Sequence, residues 1–193
     1  MLFRSSQRAE RFKKQLSPFL DFSSSDKALM VNNADWLKTL EYLPFLREIG
    51  AHFSVNRMLG AECFKQRMEK GLSFLEFNYM LLQSYDFLAL HRKLGACLQL
   101  GGSDQWGNIV AGLDLIRKVD GGTAHALTIP LMAKADGSKF GKTAAGAIWL
   151  DPHMTSPYAF FQFWINSDDA DIEKFLKTFS FKSRSEIEKL LKA

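Results

Sequence analysis

The sequence predicts an α/β fold with a mainly parallel sheet, on three observations. Short apolar segments at 28–32, 95–100, 127–132 and 147–151 have strand character. Longer stretches between them repeat their apolar residues at helical spacing. Gly, Ser, Asp and Pro residues mark the changeovers. A chain that alternates strand and helix sets successive strands side by side in parallel, because each helix returns the chain to the starting edge of the sheet.

The elements follow in order. MLFRSSQRAERFKKQ reads as a surface helix over about 5–16, packing Phe3, Phe12 and Leu16; its basic, Ser-containing composition makes an organelle transit peptide the alternative. ALMVN (28–32) reads as a short strand, and 36–92 as mostly helical. A strand at 95–100 enters the turn QLGGSDQWGNI, and a helix runs from about 105 to 118. LTIPLM (127–132) reads as a buried strand and AIWLD (147–151) as a further one, with the Gly- and Lys-rich loop KADGSKFGKTAAG between them. Ser156-Pro157 starts a helix, since Pro suits the first turn, and Asp168 or Asp169 caps the next.

Composition narrows the function classes. With 193 residues, 47% of them apolar and 17 Phe, the chain builds a sizeable core and is not disordered. No apolar run is long enough to span a membrane, and no signal-type segment opens the chain. Cys63 and Cys97 stand apart in apolar surroundings with no CxxC pair, which argues against a metal site or a disulfide and fits a reducing, cytoplasmic setting. A net charge of +4 is compatible with a nucleic-acid partner and does not demand one.

Three constellations bear chemistry. In QLGGSDQWGNI a strand ends at Gly101-Gly102, where the missing Cβ atoms allow close approach of a ligand to the backbone. Asp104 and Gln105 then stand at the mouth of the following helix, with Asp104 suited to ribose hydroxyls; the plainer alternative makes Ser103 or Asp104 a helix cap. In SFLEFNYMLLQSYDFLAL (73–90), Tyr79, Gln83 and Asp86 fall within an arc of about 60° on a helix. The remaining positions are apolar nearly all round, so the helix is expected to be buried and Asp86 to have a partner, either inside the protein or on a ligand. A phenol, an amide and a carboxylate on one face suit a small ligand carrying an amine and a hydroxyl. In KFGKT (139–143), Lys139 and Lys142 sit on a glycine-rich loop able to close on polyphosphate, though the loop is not a Walker A motif and a solvated basic loop is the alternative.

Together these segments resemble the bacterial-type tyrosyl-tRNA synthetases of class I. The resemblance runs through FLDF (19–22), NNADW (32–36), HFSVN (52–56), YMLLQSYDF (79–87), LGGSDQWGNI (100–109), KADGSKFGKT (134–143), AIWLDP (147–152) and TSPYAFFQFWIN (155–166). It implies a Rossmann-type catalytic core, seen here as its C-terminal half, over 1–151, leading into a helical segment over 152–193. It implies that Tyr79 and Gln83 hold the α-amino group of tyrosine and that Asp86 holds its hydroxyl. Gln99 would lie near the ring, and Gln105 near the carboxylate and reacting carbonyl. Gly101, Gly102 and Asp104 would take the ribose side of ATP. Lys139, Lys142 and Thr143 would stabilise the α-phosphate in the transition state and the departing pyrophosphate. One of Asn32 and Asn33 would support the pocket, and Phe74 would fall in a two-fold dimer interface.

The implied activity is tyrosine–tRNA ligation, with ATP as a substrate accompanied by Mg2+, no tightly bound cofactor, and tyrosine and tRNA-Tyr as partners. The family also has an HIGH-type histidine motif, and His52, His91, His125 and His153 each stand singly here. The resemblance therefore implies a partial chain. The alternative function is a non-catalytic remnant that dimerises or binds tyrosine or RNA. A different nucleotidyl-transferring enzyme would not need the Tyr79–Gln83–Asp86 stripe.

Overall fold

The computed structural model describes residues 2–60, 68, 71–135, 137, 140–143 and 146–192. In chain order the helices are α1 (Leu2–Leu16), α2 (Ala34–Leu37), α3 (Tyr42–Glu48), α4 (Val55–Leu59), α5 (Phe74–Leu94), α6 (Trp106–Asp120), α7 (Pro157–Ile165), α8 (Asp169–Phe179) and α9 (Arg184–Leu190). The strands are β1 (Leu98–Gly102), β2 (His125–Ile129), β3 (Lys142–Thr143) and β4 (Gly146–Ala147). Residues 31–131 form one compact unit, and residues 1–30 with 132–193 form another.

The 31–131 unit is built on a helix pair and a β–α–β crossover. Ser73 starts α5 with a reciprocal cap: its hydroxyl accepts from the Glu76 amide at 3.2 Å, and the Glu76 carboxylate accepts from the Ser73 amide at 3.0 Å. Phe87 and Leu88 of α5 meet Leu115 and Ile116 of α6, with Ile49 beside them, in the main core. Gly112 makes this crossing close. A Cβ there would lie 3.1 Å from a ring carbon of Phe87 and 3.5 Å from the Ser84 Cα. A second cluster gathers Met58, Met80 and Leu81.

β1 and β2 pair in parallel, with Leu98 opposite His125 and Gly102 opposite Ile129, and α6 forms the crossover. The strand period of two separates their faces. Gln99, Gly101, Ala126 and Thr128 are half-buried on the side of α6, while Leu98, Leu100, Leu127 and Ile129 are exposed. The parallel pairing agrees with the sequence reading, but the expected burial of 127–132 does not hold, and Pro130 ends β2 after Ile129 by removing a ladder donor.

In the other unit, the helix starts expected from sequence are present. The Ser156 hydroxyl accepts from the Ala159 amide at 3.2 Å, with Pro157 first in α7, and Asp168 accepts from the Ala170 amide at 2.9 Å to open α8. β3 and β4 form a short antiparallel pair, with Lys142 opposite Ala147.

Four expectations are corrected. Residues 28–32 are not a strand; Leu29, Met30 and Val31 are exposed, and an apolar run becomes a strand only beside a partner ladder. AIWLD contributes only Ala147 to a strand, because the Trp149 amide turns to the Thr155 hydroxyl at 2.9 Å instead of to a neighbouring strand. α1 forms, yet Phe12 and Leu16 are exposed rather than packed, and the side chain of Phe3 lies outside the described part. Cys97 is exposed rather than set in apolar surroundings, and Cys63 lies outside the described residues. No helix among the described residues is long and apolar enough to cross a membrane.

Candidate functional site

Helix α5 aligns Tyr79, Gln83 and Asp86, as its period requires. The carboxylate of Asp86 is held at both oxygens. The Trp36 indole N–H donates to Oδ1 at 2.6 Å, and the Asn33 amide donates to Oδ2 at 2.9 Å. Trp36 is buried and lies under Lys93, whose ammonium stands 5.4 Å from its ring centroid. Two neutral donors therefore fix the carboxylate while each oxygen keeps a lone pair for a further donor.

This geometry separates the two asparagines by what they touch. Asn33 reaches Asp86, whereas Asn32 turns back to accept from the Ala34 amide at 3.0 Å. It also supplies a residue the sequence reading had not singled out, Trp36, whose only signal was its place in NNADW. The expectation of a helix buried all round is corrected. Phe74 is 69% exposed, Leu75 75% and Tyr79 59%, so only the middle of α5 is enclosed.

On β1, Gln99 is half-buried on the side of α6, and its side-chain oxygen is buried with no hydrogen-bond partner among the described residues. An orphaned buried acceptor costs about 1–3 kcal/mol, which a donor on a bound ligand or an ordered water would relieve. Gln105 is engaged on both sides: its amide donates to Asp104 at 3.0 Å, and its oxygen accepts from Asn108 at 3.4 Å.

Side chains crowd the two glycines of the turn between β1 and α6. A Cβ on Gly102 would lie 2.6 Å from an Asp104 carboxylate oxygen and 2.9 Å from Leu131, and one on Gly101 would lie 2.9 Å from Ile109. These atoms are the far ends of flexible side chains, which would have to shift to admit a Cβ at either position. The alternative in which Ser103 or Asp104 caps the helix is also corrected. Ser103–Gln105 form a 3-10 turn, α6 begins at Trp106, and no side chain caps it. The first amides of α6 are thus left without a side-chain acceptor, as an anion-binding helix start requires.

Asp104 and Gln105 therefore share one turn with Gly101 and Gly102, next to Gln99 on the same strand. The lysine loop belongs to the other unit. Lys139 lies outside the described residues, and for Lys142 and Thr143 the backbone alone is described, as β3.

A separate charged cluster, unforeseen from the sequence, surrounds Asp114 on α6. Arg57, Arg117 and Lys118 approach its carboxylate at 3.0, 2.7 and 3.0 Å. The Arg117 hydrogen bond, helped by Lys118 and Arg57, lowers its pKa to about 2 against the opposing effect of burial. Lys118 also donates to the His52 carbonyl at 2.9 Å.

The family model described as tRNA synthetases class I (W and Y) matches residues 2–193. The chain belongs to this family. It is 60% identical over 182 residues to a tyrosine–tRNA ligase of Clostridium kluyveri, covering 94% of this chain and 45% of that protein. It is 59% identical over 179 residues to a tyrosine–tRNA ligase of Clostridium botulinum, covering 93% and 44%.

Among solved structures, a C-terminally truncated mitochondrial tyrosyl-tRNA synthetase of Coccidioides posadasii matches with a TM-score of 0.68 at 31% identity, over 83% of this chain and 47% of that one. The counterpart from Aspergillus nidulans matches with the same TM-score at 34% identity, over 83% and 46%. The α/β fold is thus that of the class I synthetase core. The chain spans about half the length of the curated relatives it matches.

Proposed function

We propose that this chain forms part of a tyrosine–tRNA ligase. The observation that carries the reading is the carboxylate of Asp86, fixed by Asn33 and Trp36 on the helix face that also bears Tyr79 and Gln83. A fixed acceptor of this kind accepts a phenolic hydroxyl and is left unsatisfied by phenylalanine, a contrast worth about 10⁵ in discrimination; that value is the one quoted for tyrosyl-tRNA synthetases themselves. The relatives named as tyrosine–tRNA ligases support the same substrate.

In this proposal Tyr79 and Gln83 take the α-amino group, Gln99 the ring side and Gln105 the carboxylate. Gly101, Gly102 and Asp104 meet the nucleotide. A carboxylate oxygen of tyrosine attacks the α-phosphorus of ATP, the bond to the bridging oxygen breaks, and pyrophosphate leaves. Lys139, Lys142 and Thr143 offset the negative charge that builds on the phosphates, the kind of electrostatic assistance that dominates such transfers. A terminal ribose hydroxyl of tRNA-Tyr then attacks the tyrosyl carbonyl, and AMP departs. Mg2+ would arrive on the phosphates of ATP, whose oxygens suit this cation.

The proposal includes a part-catalytic region over 1–151, a helical segment over 152–193, and a homodimer. The exposure of Phe74 and Leu75 at the start of α5 supports the last. The test is tyrosine-dependent ATP–pyrophosphate exchange by the natural protein that contains these residues. Exchange with tyrosine, absent with phenylalanine, is the expected result; equal exchange with both would remove tyrosine as the substrate. A second reading is a tyrosine- or RNA-binding module without ligase activity. Tyrosine binding with no exchange would select it.

A further inference from the structure

Helix α8 opens on three aspartates, and one of them is buried. Asp168 caps the helix, Asp169 is exposed, and Asp171 in the same turn is only 3% exposed. The task of Asp168 is plain, since its carboxylate accepts from the Ala170 amide at 2.9 Å. Asp171 has no such task. Its amide donates to the Asp168 carbonyl at 2.9 Å, but its carboxylate accepts no hydrogen bond and joins no ion pair among the described residues. A carboxylate taken out of water without a donor destabilises the fold. The helix dipole offsets little of this, because its N-terminal end amounts to about half a positive charge against three carboxylates.

Asp171 lines a cavity of about 690 Å³ within the unit formed by residues 1–30 and 132–193. Further acceptors stand on the same lining. Asp168 keeps its second carboxylate oxygen. Asn166 donates its amide hydrogen to the Gln162 carbonyl at 2.7 Å, which leaves its own side-chain oxygen without a donor among the described residues. Lys134 also lines the cavity, yet it forms no ion pair with either aspartate there. Two carboxylates against one ammonium give the lining a net negative charge. Phe163 and Phe175 supply an apolar wall.

We propose that this cavity is a second ligand site, built for a small primary amine. Its ammonium stands against Asp171, with Asp168 and Asn166 beside it, and its apolar stem lies along Phe163 and Phe175. The site is separate from the residues assigned to tyrosine and ATP and does not rest on the ligase reading. An ammonium brings three donors to a lining that lacks them, and aromatic faces attract it as well. A hard metal ion needs oxygen on most sides, which an aromatic wall does not offer.

The test titrates hexylamine calorimetrically into the natural protein, beside 1-hexanol, which has the same stem without the charge. Hexylamine is expected to bind saturably, hexanol at least about 10-fold more weakly, and MgCl2 at matched ionic strength should not displace the amine. Asp171→Asn should weaken hexylamine by about 10-fold or more. Asp169→Asn removes the same charge from the same turn outside the cavity and should change it less than about 2-fold. Lys134→Met removes a like charge from the lining and should tighten it about 3-fold. Without amine, Asp171→Asn should melt no lower than Asp169→Asn, because it relieves a buried charge. Added hexylamine should raise the melting temperature of the natural protein and of Asp169→Asn, but not that of Asp171→Asn.

Equal binding of hexanol would reduce the cavity to an apolar cleft, and displacement by Mg2+ would make it a metal site. Unchanged hexylamine affinity in Asp171→Asn would put the amine elsewhere. Each of these overturns the proposal. Failure of amine-free Asp171→Asn to fold, or a melting temperature well below that of Asp169→Asn, overturns it too, since the carboxylate would then serve the fold. Weaker amine binding in Lys134→Met is a further contrary result, because it would make Lys134 part of what holds the ligand.

Discussion

Asp86 on α5 and Asp114 on α6 sit on neighbouring helices of one unit, and both carboxylates accept several hydrogen bonds. Their company differs in charge. Three cations converge on Asp114, so its charge is neutralised within the protein. Asp86 has two neutral donors, Asn33 and Trp36, and its negative charge remains available to whatever approaches the α5 face. The contrast separates two tasks for the same side chain. Neutralised by cations, an aspartate fastens elements together; held by neutral donors, it stays competent to bind. The predictions below test that division in order of expected size.

The largest effect is expected for Asp86→Ala. On the proposed reading, in which this carboxylate receives the substrate hydroxyl, its removal should weaken tyrosine binding by about 4 kcal/mol, or roughly a thousandfold, and should erase the preference over phenylalanine. Calorimetric titration with both amino acids measures this directly. A variant that retained the tyrosine affinity would mean that Asp86 serves the fold, like Asp114, and that the comparison is empty.

Next in size is Gly112→Val, which disturbs the platform shared by both carboxylates. The new methyl groups would enter space bounded by Phe87 and the backbone at Ser84, where a first carbon already stands at 3.1 and 3.5 Å. Overpacking of this kind costs about 2–3 kcal/mol, read as a shift of the urea midpoint. Tyrosine affinity should fall with it because α5 must move. A normal midpoint would show that the helix pair has slack.

Trp36→Phe is gentler and more selective. It keeps an aromatic ring beneath Lys93 and removes only the N–H that reaches Asp86 at 2.6 Å. A loss of about 1–2 kcal/mol in tyrosine binding, near tenfold, with little change in thermal stability is the expected pattern. A purely structural Trp36 would give the reverse.

What the sequence disclosed, and what it withheld, follows the range of the interactions involved. The caps at Ser73, Ser156 and Asp168 were legible or fully local, since each donor lies within three residues of its acceptor. The stripe Tyr79–Gln83–Asp86 was legible because helical period alone aligns it. The partners of Asp86 were not, because Asn33 and Trp36 lie 53 and 50 residues away. The cations around Asp114 were hidden for a similar reason in the case of Arg57, which is 57 residues distant. ALMVN failed as a strand because strand character depends on a neighbour that local sequence does not supply. The family roles of Gln99 and Gln105 came from resemblance; the buried, unpaired oxygen of Gln99 gives that expectation a physical footing it lacked before.

The smallest effect should come from Asp114, and its sign is set by protonation. Its folded pKa is lowered to about 2, below the usual carboxylate value of 3.8, with the Arg117 hydrogen bond as the main cause. A group whose pKa falls on folding stabilises the folded state above its unfolded pKa and loses that contribution as pH drops toward the folded value. The stabilisation is therefore complete near neutral pH and disappears between about pH 4 and pH 2. Screening by solvent around Arg57 and Arg117 reduces its size to about 1 kcal/mol. Asp114→Asn should lower stability by that amount at pH 7, converge with the natural protein near pH 2, and leave tyrosine affinity unchanged. Equal stability of the two proteins at both pH values would show that the three cations gain nothing from the carboxylate. A loss of tyrosine affinity would show that neutralised and available carboxylates are not separable on this helix pair.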